Sequence, residues 1–346
     1  MSHKISDIAS QIKIIKDKCH HIRPLVAVRC ITFNQAPYIR EALDGFLMQK
    51  TNFPFVVVVH DDASTDGTTQ ILLEYSEKYP DLIFPLIQKE NQYSKGGAGF
   101  RLIIHEAIIA TGAEYMAFCE ADDYWTDPFK LQKQVDLMTQ FPEIGLCYTG
   151  FDIKDEIRNT YRKNLFETEP EIFPKEYKQP FDFILKKGYV APPSWLVRVS
   201  KWKKELPASV DGTFVRFLDF LVNDEVKLLP DVTCVYRIHD NSASNSTDYE
   251  KVYTRQNKLL QTQLNLIDYY NLPEVYKEKI LEAHHKQYLK SHVINCKHQD
   301  VAKAKEIIVD KTLSENIWFL LEALKLSYIL RHFKKLKYSF LSKKAL

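Results

Sequence analysis

The stretch that decides the fold runs from Phe55 to Thr68 and reads FVVVVHDDASTDGT. Four consecutive valines are followed by a short run of Asp, Ser, Thr and Gly. An unbroken β-branched run is typical of a strand covered on both faces, as in a parallel sheet. The polar residues favour a loop that ends in a helix start, with Ser64 or Asp66 as a candidate cap. We therefore predict a buried strand, a loop and a helix over residues 68–79.

The same alternation of strand and helix continues on both sides of this stretch. Further strand-like runs lie at 25–33, 82–88, 115–119 and 144–151, and helix-like runs lie at 38–48 and 100–111. Later in the chain we predict a helix near 213–222 and two short strands at 226–229 and 233–237. Strands that alternate with helices predict an α/β fold with a mostly parallel, Rossmann-like sheet flanked by helices.

Three regions are expected along the chain. Isoleucines at helical spacing predict an N-terminal helix within residues 1–23. The α/β domain is expected over residues 24–245, in two halves, 24–150 and 151–245. Residues 246–346 have a helical pattern and form the predicted C-terminal region.

Composition excludes several classes of protein. The chain has 346 residues, of which 45% are hydrophobic and 27% charged, as in globular proteins. A net charge of +2 gives no argument for a nucleic-acid partner. The six cysteines form no CxxC pair, so we expect reduced thiols and no structural zinc site. Without a signal-peptide core or a long apolar run, the expected location is the cytoplasm.

Acidic side chains follow two of the predicted strands. Asp61 and Asp62 come after the valine strand, and CEADDYW, with Glu120, Asp122 and Asp123, follows the strand at 115–119. Ligands of such sheets bind beyond the carboxyl ends of the strands, so both clusters are expected to face one cleft. Crowded carboxylates repel one another, which favours a bound divalent cation such as Mg²⁺ or Mn²⁺. A helix cap in the first cluster and a solvated turn in the second are the structural alternatives.

Three further segments each allow two interpretations. In NQYSKGGAG, Lys95 is placed to reach a phosphate, or the segment is a plain flexible loop. In YRIHDNSAS, His239 is a metal ligand or a packed residue. Residues 323–346 hold seven Lys or Arg and no acid, which suits either a helix lying on anionic lipid or a helix packed on the domain.

In this order the motifs resemble those of the family 2 glycosyltransferases, inverting enzymes with a nucleotide-sugar donor and the type-A glycosyltransferase (GT-A) fold. The matching stretches are VAVRCITFNQAPYIREALDGFLMQ, FVVVVHDDASTDGT and YMAFCEADDYWTDPFKLQKQV. The match is firm over residues 24–150 and looser over 190–245. The resemblance implies that residues 24–150 bind the nucleotide-sugar and residues 151–245 bind the acceptor.

The resemblance also implies roles for individual residues. The nucleotide-sugar pocket would be lined by Thr32, Phe33, Asn34, Asp61, Asp62, Glu120, Ala121, Asp122 and Asp123. Asp122 would be the main metal ligand, Glu120 would contact ribose or metal in a place where Asp is more usual, and His239 would approach the metal or the diphosphate. The catalytic base would be Asp211, with Asp219 and Asp224 as rivals.

The function implied is inverting transfer of a sugar, with a UDP-sugar as the expected donor, to a hydroxyl of a glycan or lipid-linked acceptor. Mn²⁺ or Mg²⁺ would be the cofactor, bacterial surface polysaccharide the product, and the basic tail a peripheral membrane contact. A sugar nucleotidyltransferase is an alternative, although TFNQAPY lacks the glycine-rich, basic loop that follows the first strand in those enzymes. The other alternative is a degenerate transferase domain that acts only as a binding partner.

Overall fold

A computed structural model describes residues 6–95, 99–177, 180, 183–184, 190–203, 205–209, 211–240 and 249–294. The chain divides into two compact units, one of residues 1–206 and 211–252 and the other of residues 207–210 and 253–346. The first unit is built around a single sheet. In the described residues of the second unit, the regular elements are helices.

The strands of the sheet come from both predicted halves of the α/β domain. They are β1 Val26–Thr32, β2 Phe55–Asp61, β3 Ile83–Ile87, β4 Tyr115–Phe118, β5 Tyr124–Trp125, β6 Ile144–Asp155, β7 Thr160–Arg162, β8 Leu196–Arg198 and β9 Glu225–Ile238. Their order is β3-β2-β1-β4-β8-β6-β9-β5, with β7 paired to β6. The pairs among β1, β2, β3 and β4 are parallel, as is β6 with β9, whereas β8 pairs antiparallel with both β4 and β6. The sheet is therefore continuous across the two halves.

The helices alternate with these strands along the chain. They are α1 Ile8–Ile22, α2 Ile39–Leu47, α3 Thr68–Lys78, α4 Gly99–Thr111, α5 Lys130–Gln140, α6 Leu165–Thr168, α7 Gly212–Asn223, α8 Tyr249–Tyr269 and α9 Val275–Ile294. Together with the sheet they confirm the predicted α/β class.

The valine strand is an interior strand of the sheet and is buried on both faces, as predicted. β2 lies between β1 and β3, and the side chains of Val56, Val57, Val58 and Val59 are fully buried. Full burial of a side chain of this size contributes about 1.5–3 kcal/mol, so this strand is a major source of stability.

The prediction of two short strands at 226–229 and 233–237 was wrong, because both belong to the single strand β9. The gap between the two predicted strands contains Pro230, and proline removes a ladder hydrogen bond. The structure accommodates it by register shifts on either side of Gly150 in the partner strand β6. The carbonyl oxygens of Pro230 and Asp231 lie 3.1 Å from the point a Cβ on Gly150 would occupy, so only glycine fits without a shift.

Helix α1 closes the outer edge of the sheet. Its N-cap is Asp7, whose side chain accepts a hydrogen bond from the Ser10 amide. The Gln11 amide nitrogen donates to the Ile87 carbonyl (3.0 Å), and the Gln11 oxygen accepts from the Ile87 N–H (2.7 Å). One side chain thus satisfies both backbone groups of an edge-strand residue, which blunts that edge.

Within the described ranges, no helix has both the length and the apolar character needed to cross a bilayer. Five cysteines lie in these ranges, and all are buried free thiols. The predicted basic tail at 323–346 lies outside the described residues.

Candidate functional site

The loops that follow β1 and β2 lie side by side at one edge of the sheet. The backbone N–H of Asn34 donates to the Ser64 hydroxyl (2.9 Å), and the Asn34 side-chain oxygen accepts from the Thr65 N–H (2.8 Å). Asn34 has φ +52°, a left-handed conformation that asparagine tolerates better than most residues. Because the two loops are joined, the polar residues predicted after separate strands form one rim.

Asp61 stabilises this rim from within. It is fully buried, and one of its oxygens accepts from the Ser64 N–H (3.0 Å) and hydroxyl (2.5 Å). The other oxygen accepts from the Thr69 hydroxyl on α3. Asp66 accepts hydrogen bonds from the N–H and hydroxyl of Thr68, the first residue of α3. The N-cap position itself falls on Gly67, which makes no side-chain hydrogen bond, so the predicted cap by Ser64 or Asp66 is not formed at that position.

Asp62 connects the rim to the segment after β3. Its two oxygens accept hydrogen bonds from the backbone N–H groups of Gln92 (2.8 Å) and Tyr93 (3.0 Å). The carboxylate is buried, whereas the Tyr93 side chain is 62% exposed. In the same segment Lys95 is ion-paired with Glu90.

Thr32, the last residue of β1, and Phe33, which follows it, lie in contrasting environments. Thr32 is buried, and its hydroxyl oxygen has no hydrogen-bond partner among the described residues. Phe33 is 43% exposed, although a ring of this size is usually buried. The rim therefore carries a buried hydroxyl and two exposed aromatic rings, those of Phe33 and Tyr93.

Glu120 reaches across to β1. One oxygen forms an ion pair with Arg29 (2.8 Å) and the other accepts from the Ile31 N–H (2.8 Å). The next residue, Ala121, is buried and donates its N–H to the Ile31 carbonyl (3.1 Å). The loop after β4 is thus fastened to β1, and the longer arm of Glu, compared with Asp, spans this distance.

Asp122 and His239 meet although they lie 117 residues apart in the chain. The His239 Nε2 is 3.1 Å from an Asp122 oxygen, and the imidazole is nearly buried. The Asp122 side chain keeps about a quarter of its surface exposed. The pair therefore joins a nearly buried imidazole to a carboxylate that solvent can reach.

Asp123 points the other way, into the protein. It is 3% exposed, and one oxygen accepts from the Arg237 N–H (2.8 Å). Burial, reinforced by the neighbouring Asp122 charge, raises the pKa of Asp123 well above its ordinary value, against the opposing effect of that hydrogen bond.

Arg237 is the most enclosed cation beside these acids. Its guanidinium donates to the Asp122 carbonyl (2.8 Å) and to Glu156 (2.5 Å), and it also binds Glu41 of α2. Although burial disfavours its charge, the hydrogen bonds to Glu156 and Glu41 leave the pKa of Arg237 above its ordinary value.

Asp211 is the N-cap of α7, where it accepts from the Phe214 N–H (3.1 Å) and the Thr213 hydroxyl (2.7 Å). The Arg101 guanidinium lies against this helix start, 3.0 Å from the point a Cβ on Gly212 would occupy. A cap of this kind holds a carboxylate in a fixed position.

The rival acids are engaged elsewhere on α7. Asp219 is nearly buried and pairs with Lys203 (2.8 Å) and with the Asn223 side chain (2.9 Å). Asp224, just after the helix, pairs with Lys201 (2.9 Å). Both are neutralised by lysine, which suits a structural role better than proton abstraction.

The residues at the Asp122–His239 pair fit a divalent cation in part. A carboxylate and an imidazole are common ligands, and Mg²⁺ usually takes one or two protein carboxylates together with substrate phosphates. Within the described part of the chain, no group of three or more His, Cys, Asp or Glu is arranged to hold a metal. A cation here would therefore need oxygens from a bound ligand.

Several residues of this region gave no clear signal in the sequence. Glu41 and Glu156 are ordinary surface acids by pattern, and their shared partner Arg237 is visible only in three dimensions. Arg29 did carry a signal, because a charged residue interrupts the apolar run LVAVRCITF. A charge inside a predicted buried strand requires a partner, which here is Glu120.

Comparison with known proteins identifies similar sequences. The model of the family described as Glycosyl transferase family 2 matches residues 28–204. Uncharacterized proteins of Mycobacterium tuberculosis and Mycobacterium bovis are 32% identical over 239 residues, which is 69% of this chain and 64% of theirs. This chain thus spans less than two thirds of the length of these relatives.

Two further similar proteins carry names. The putative teichuronic acid biosynthesis glycosyltransferase TuaG of Bacillus subtilis is 30% identical over 131 residues, which is 38% of this chain and 48% of TuaG. The crystal structure of S. aureus TarS 1–349 in complex with UDP-GlcNAc has a TM-score of 0.55 at 18% identity, over 81% of this chain and 79% of that one. This likeness confirms the fold.

Proposed function

Because this chain belongs to glycosyl transferase family 2, we propose that it transfers a sugar from a nucleotide-diphosphate sugar to a hydroxyl of an acceptor. The observation that carries the proposal is the meeting of Asp122 with His239 at the sheet edge formed by the loops after β1, β2 and β4. A site of two potential cation ligands, open to solvent and incomplete without ligand oxygens, suits a diphosphate.

The nucleotide would lie along the rim built by the loops after β1 and β2. Support comes from the exposed rings of Phe33 and Tyr93, which offer stacking surfaces, and from the unpartnered hydroxyl of Thr32. In this proposal Asp61 and Asp62 shape the pocket through the hydrogen bonds that fix its loops. UDP is the first nucleotide to test, since the structure of TarS contains UDP-GlcNAc.

Asp122 and His239 would hold Mn²⁺ or Mg²⁺, and the cation would neutralise the charge that develops on the leaving diphosphate. Glu120 remains a proposed ribose or metal contact. Its ion pair with Arg29 supports the ribose role better. That contact directs the carboxylate toward β1, and the loop after β1 is part of the rim along which the nucleotide would lie.

Asp211 is the proposed base. It would take the proton of the acceptor hydroxyl while that oxygen attacks the anomeric carbon and the nucleoside diphosphate leaves from the opposite face. A single displacement inverts the anomeric configuration. The side chains of Asp219 and Asp224 are nearly buried, whereas Asp211 is half-buried, which supports the choice of Asp211.

The acceptor is proposed to be a glycan or lipid-linked saccharide of the bacterial surface. The similarity to TuaG, named for teichuronic acid biosynthesis, supports this class of acceptor. Peripheral contact with a membrane through residues 323–346 remains part of the proposal.

The test is a thermal-shift panel of nucleoside diphosphates and their sugars, with and without Mn²⁺, on the full chain. A ligand at 100 times its Kd stabilises the folded state by about 2.7 kcal/mol. We expect a Mn²⁺-dependent shift with UDP in the wild type. The same shift is expected in the control Asp81→Ala, which removes an exposed surface acid. The shift should disappear in Asp122→Ala.

Activity is then followed with the donor that gives the largest shift. Asp211→Asn should still bind the donor and should lower kcat by about a hundredfold or more. NMR of the product made by the wild type should show an inverted anomeric centre. No shift with any nucleotide would support the degenerate, binding-only alternative. Formation of a nucleotide-sugar from sugar phosphate and nucleoside triphosphate would support the nucleotidyltransferase.

A further inference from the structure

We propose that Arg237 is a positioning residue, which holds the Asp122–Asp123 loop and His239 in the arrangement that binds the cation and the diphosphate. The inference rests on the proposed function for its ligand, and on the contacts of Arg237 for its mechanism. It assigns to a buried arginine a task in binding, beyond its contribution to folding.

The first part of the argument is the set of contacts between Arg237 and the loop. The guanidinium Nε donates to the Asp122 carbonyl, and the backbone N–H donates to the Asp123 carboxylate, both at 2.8 Å. Immediately afterwards, Tyr124 pairs with Val235 of the same strand. Asp122, Asp123 and Tyr124 are therefore held by β9. The orientation of the Asp122 side chain follows from the position of its backbone.

The second part concerns what fixes Arg237 itself. Its guanidinium lies between the rings of Tyr38 (4.6 Å) and Tyr124 (5.1 Å). Glu41 and Glu156 compensate its charge from opposite elements, α2 and the end of β6. A planar group with donors on several edges can make all these contacts at once, and a lysine ammonium cannot.

The third part is the link to His239. In a strand, residues two apart lie on the same side, and His239 follows Arg237 at that spacing just beyond the end of β9. The His239 ring also packs on Tyr38, at 4.7 Å between centroids. Arg237 and His239 thus share one aromatic support, so displacement of the arginine disturbs both members of the Asp122–His239 pair.

A matched control exists elsewhere in the sheet. Arg198 of β8 has the same kinds of partner: an acid, Glu114; an aromatic ring, Tyr115; and a backbone carbonyl, that of Met138 (3.0 Å). Its partners Glu114 and Tyr115 stand at the start of β4, whereas the acidic loop follows the end of that strand. Arg198→Gln therefore removes an arginine with similar partners, 14% of whose side chain is exposed, without touching the Asp122 loop.

The experiment compares Arg237→Gln, Arg237→Lys and Arg198→Gln as full chains. Mn²⁺ binding is measured by electron paramagnetic resonance, with and without UDP, on protein shown to be folded by circular dichroism. We expect the Kd of Mn²⁺ with UDP to rise at least tenfold in Arg237→Gln and Arg237→Lys, and to stay within twofold of wild type in Arg198→Gln. Wild-type affinity in the folded Arg237 variants would overturn the inference.

A second measurement needs no ligand. Amide hydrogen exchange over residues 120–125 should be at least tenfold faster in Arg237→Gln than in the wild type, and unchanged in Arg198→Gln. If the wild type binds no nucleotide while exchange rises as expected, the proposed function fails and the positioning role stands. If exchange over this loop is unchanged, the positioning role itself is refuted.

Discussion

His60, at the end of the valine strand, makes the stability of this protein depend on pH. Its side chain is fully buried, and its Nε2 lies 3.1 Å from the side-chain nitrogen of Gln88, which suits an unprotonated ring nitrogen. Burial lowers the pKa of His60 from its ordinary 6.5 to about 4, although the nearby Asp62 charge acts in the opposite direction.

The sign and size of the effect follow from this pKa. Because the unfolded chain binds a proton near pH 6.5 and the folded chain only near pH 4, the free energy of unfolding falls as the pH is lowered through that window. At about 1.4 kcal/mol per pKa unit, the loss reaches about 2 kcal/mol at pH 5 and approaches about 3 kcal/mol below pH 4.

The perturbation is His60→Gln, which keeps a polar side chain near Gln88 but does not titrate. Urea unfolding, followed by tryptophan fluorescence at several pH values from 7.5 to 4.5, gives the free energy of unfolding of each variant. We expect the wild type to lose about 2 kcal/mol more than His60→Gln between pH 7.5 and 5. The control is His21→Gln, an exposed histidine at the end of α1, which should follow the wild type. Parallel curves for wild type and His60→Gln would refute the reasoning.

Two further predictions concern the core. Burial lowers the pKa of Lys130 from 10.5 to about 8, so this side chain should contribute a rise of up to about 3 kcal/mol in the free energy of unfolding between pH 8 and 10.5. Burial raises the pKa of the Cys30, Cys119, Cys147 and Cys234 thiols, which act in the opposite direction, so the rise is measured as the difference between the wild type and Lys130→Met. Lys130→Met should abolish that rise in urea unfolding, and an unchanged slope would contradict the assignment. In Gly145→Ala the new Cβ would lie 2.7 Å from the Asp224 Cβ, so we expect a loss of about 1–3 kcal/mol by the same assay. Nucleotide affinity should be unaltered, and the exposed Glu143→Ala should be neutral; a fully stable Gly145→Ala would show that this contact relaxes without cost.

Much of the first half could be predicted because its signals are local. The valine run, the polar loop and the helix start are adjacent in sequence, and β2 and α3 begin and end within a residue of the predicted limits. The acids after β2 and β4 were likewise placed at one edge by topology alone, since parallel strands end on the same side.

The contacts of those acids could not be predicted in the same way. Asp62 binds backbone groups about 30 residues away, and Arg237 binds an acid 196 residues away. No periodicity or spacing encodes such a pairing, because it depends on how separate elements pack. The sequence therefore predicted which acids lie at this edge, whereas the contacts that Arg29 and Arg237 make with them required the structure.

The irregular pairing of β9 with β6 has a consequence for how this region tolerates insertions and deletions. Side chains alternate along a strand, so one residue added between Cys234 and Arg237 would turn Arg237 away from the acidic loop and bring Tyr236 in its place, and one residue removed there would bring Ile238 in its place. The number of residues in that span is therefore constrained more strictly than most of their identities. Changes of chain length are better accommodated between Leu229 and Cys234, where the register shifts around Gly150 already absorb an offset.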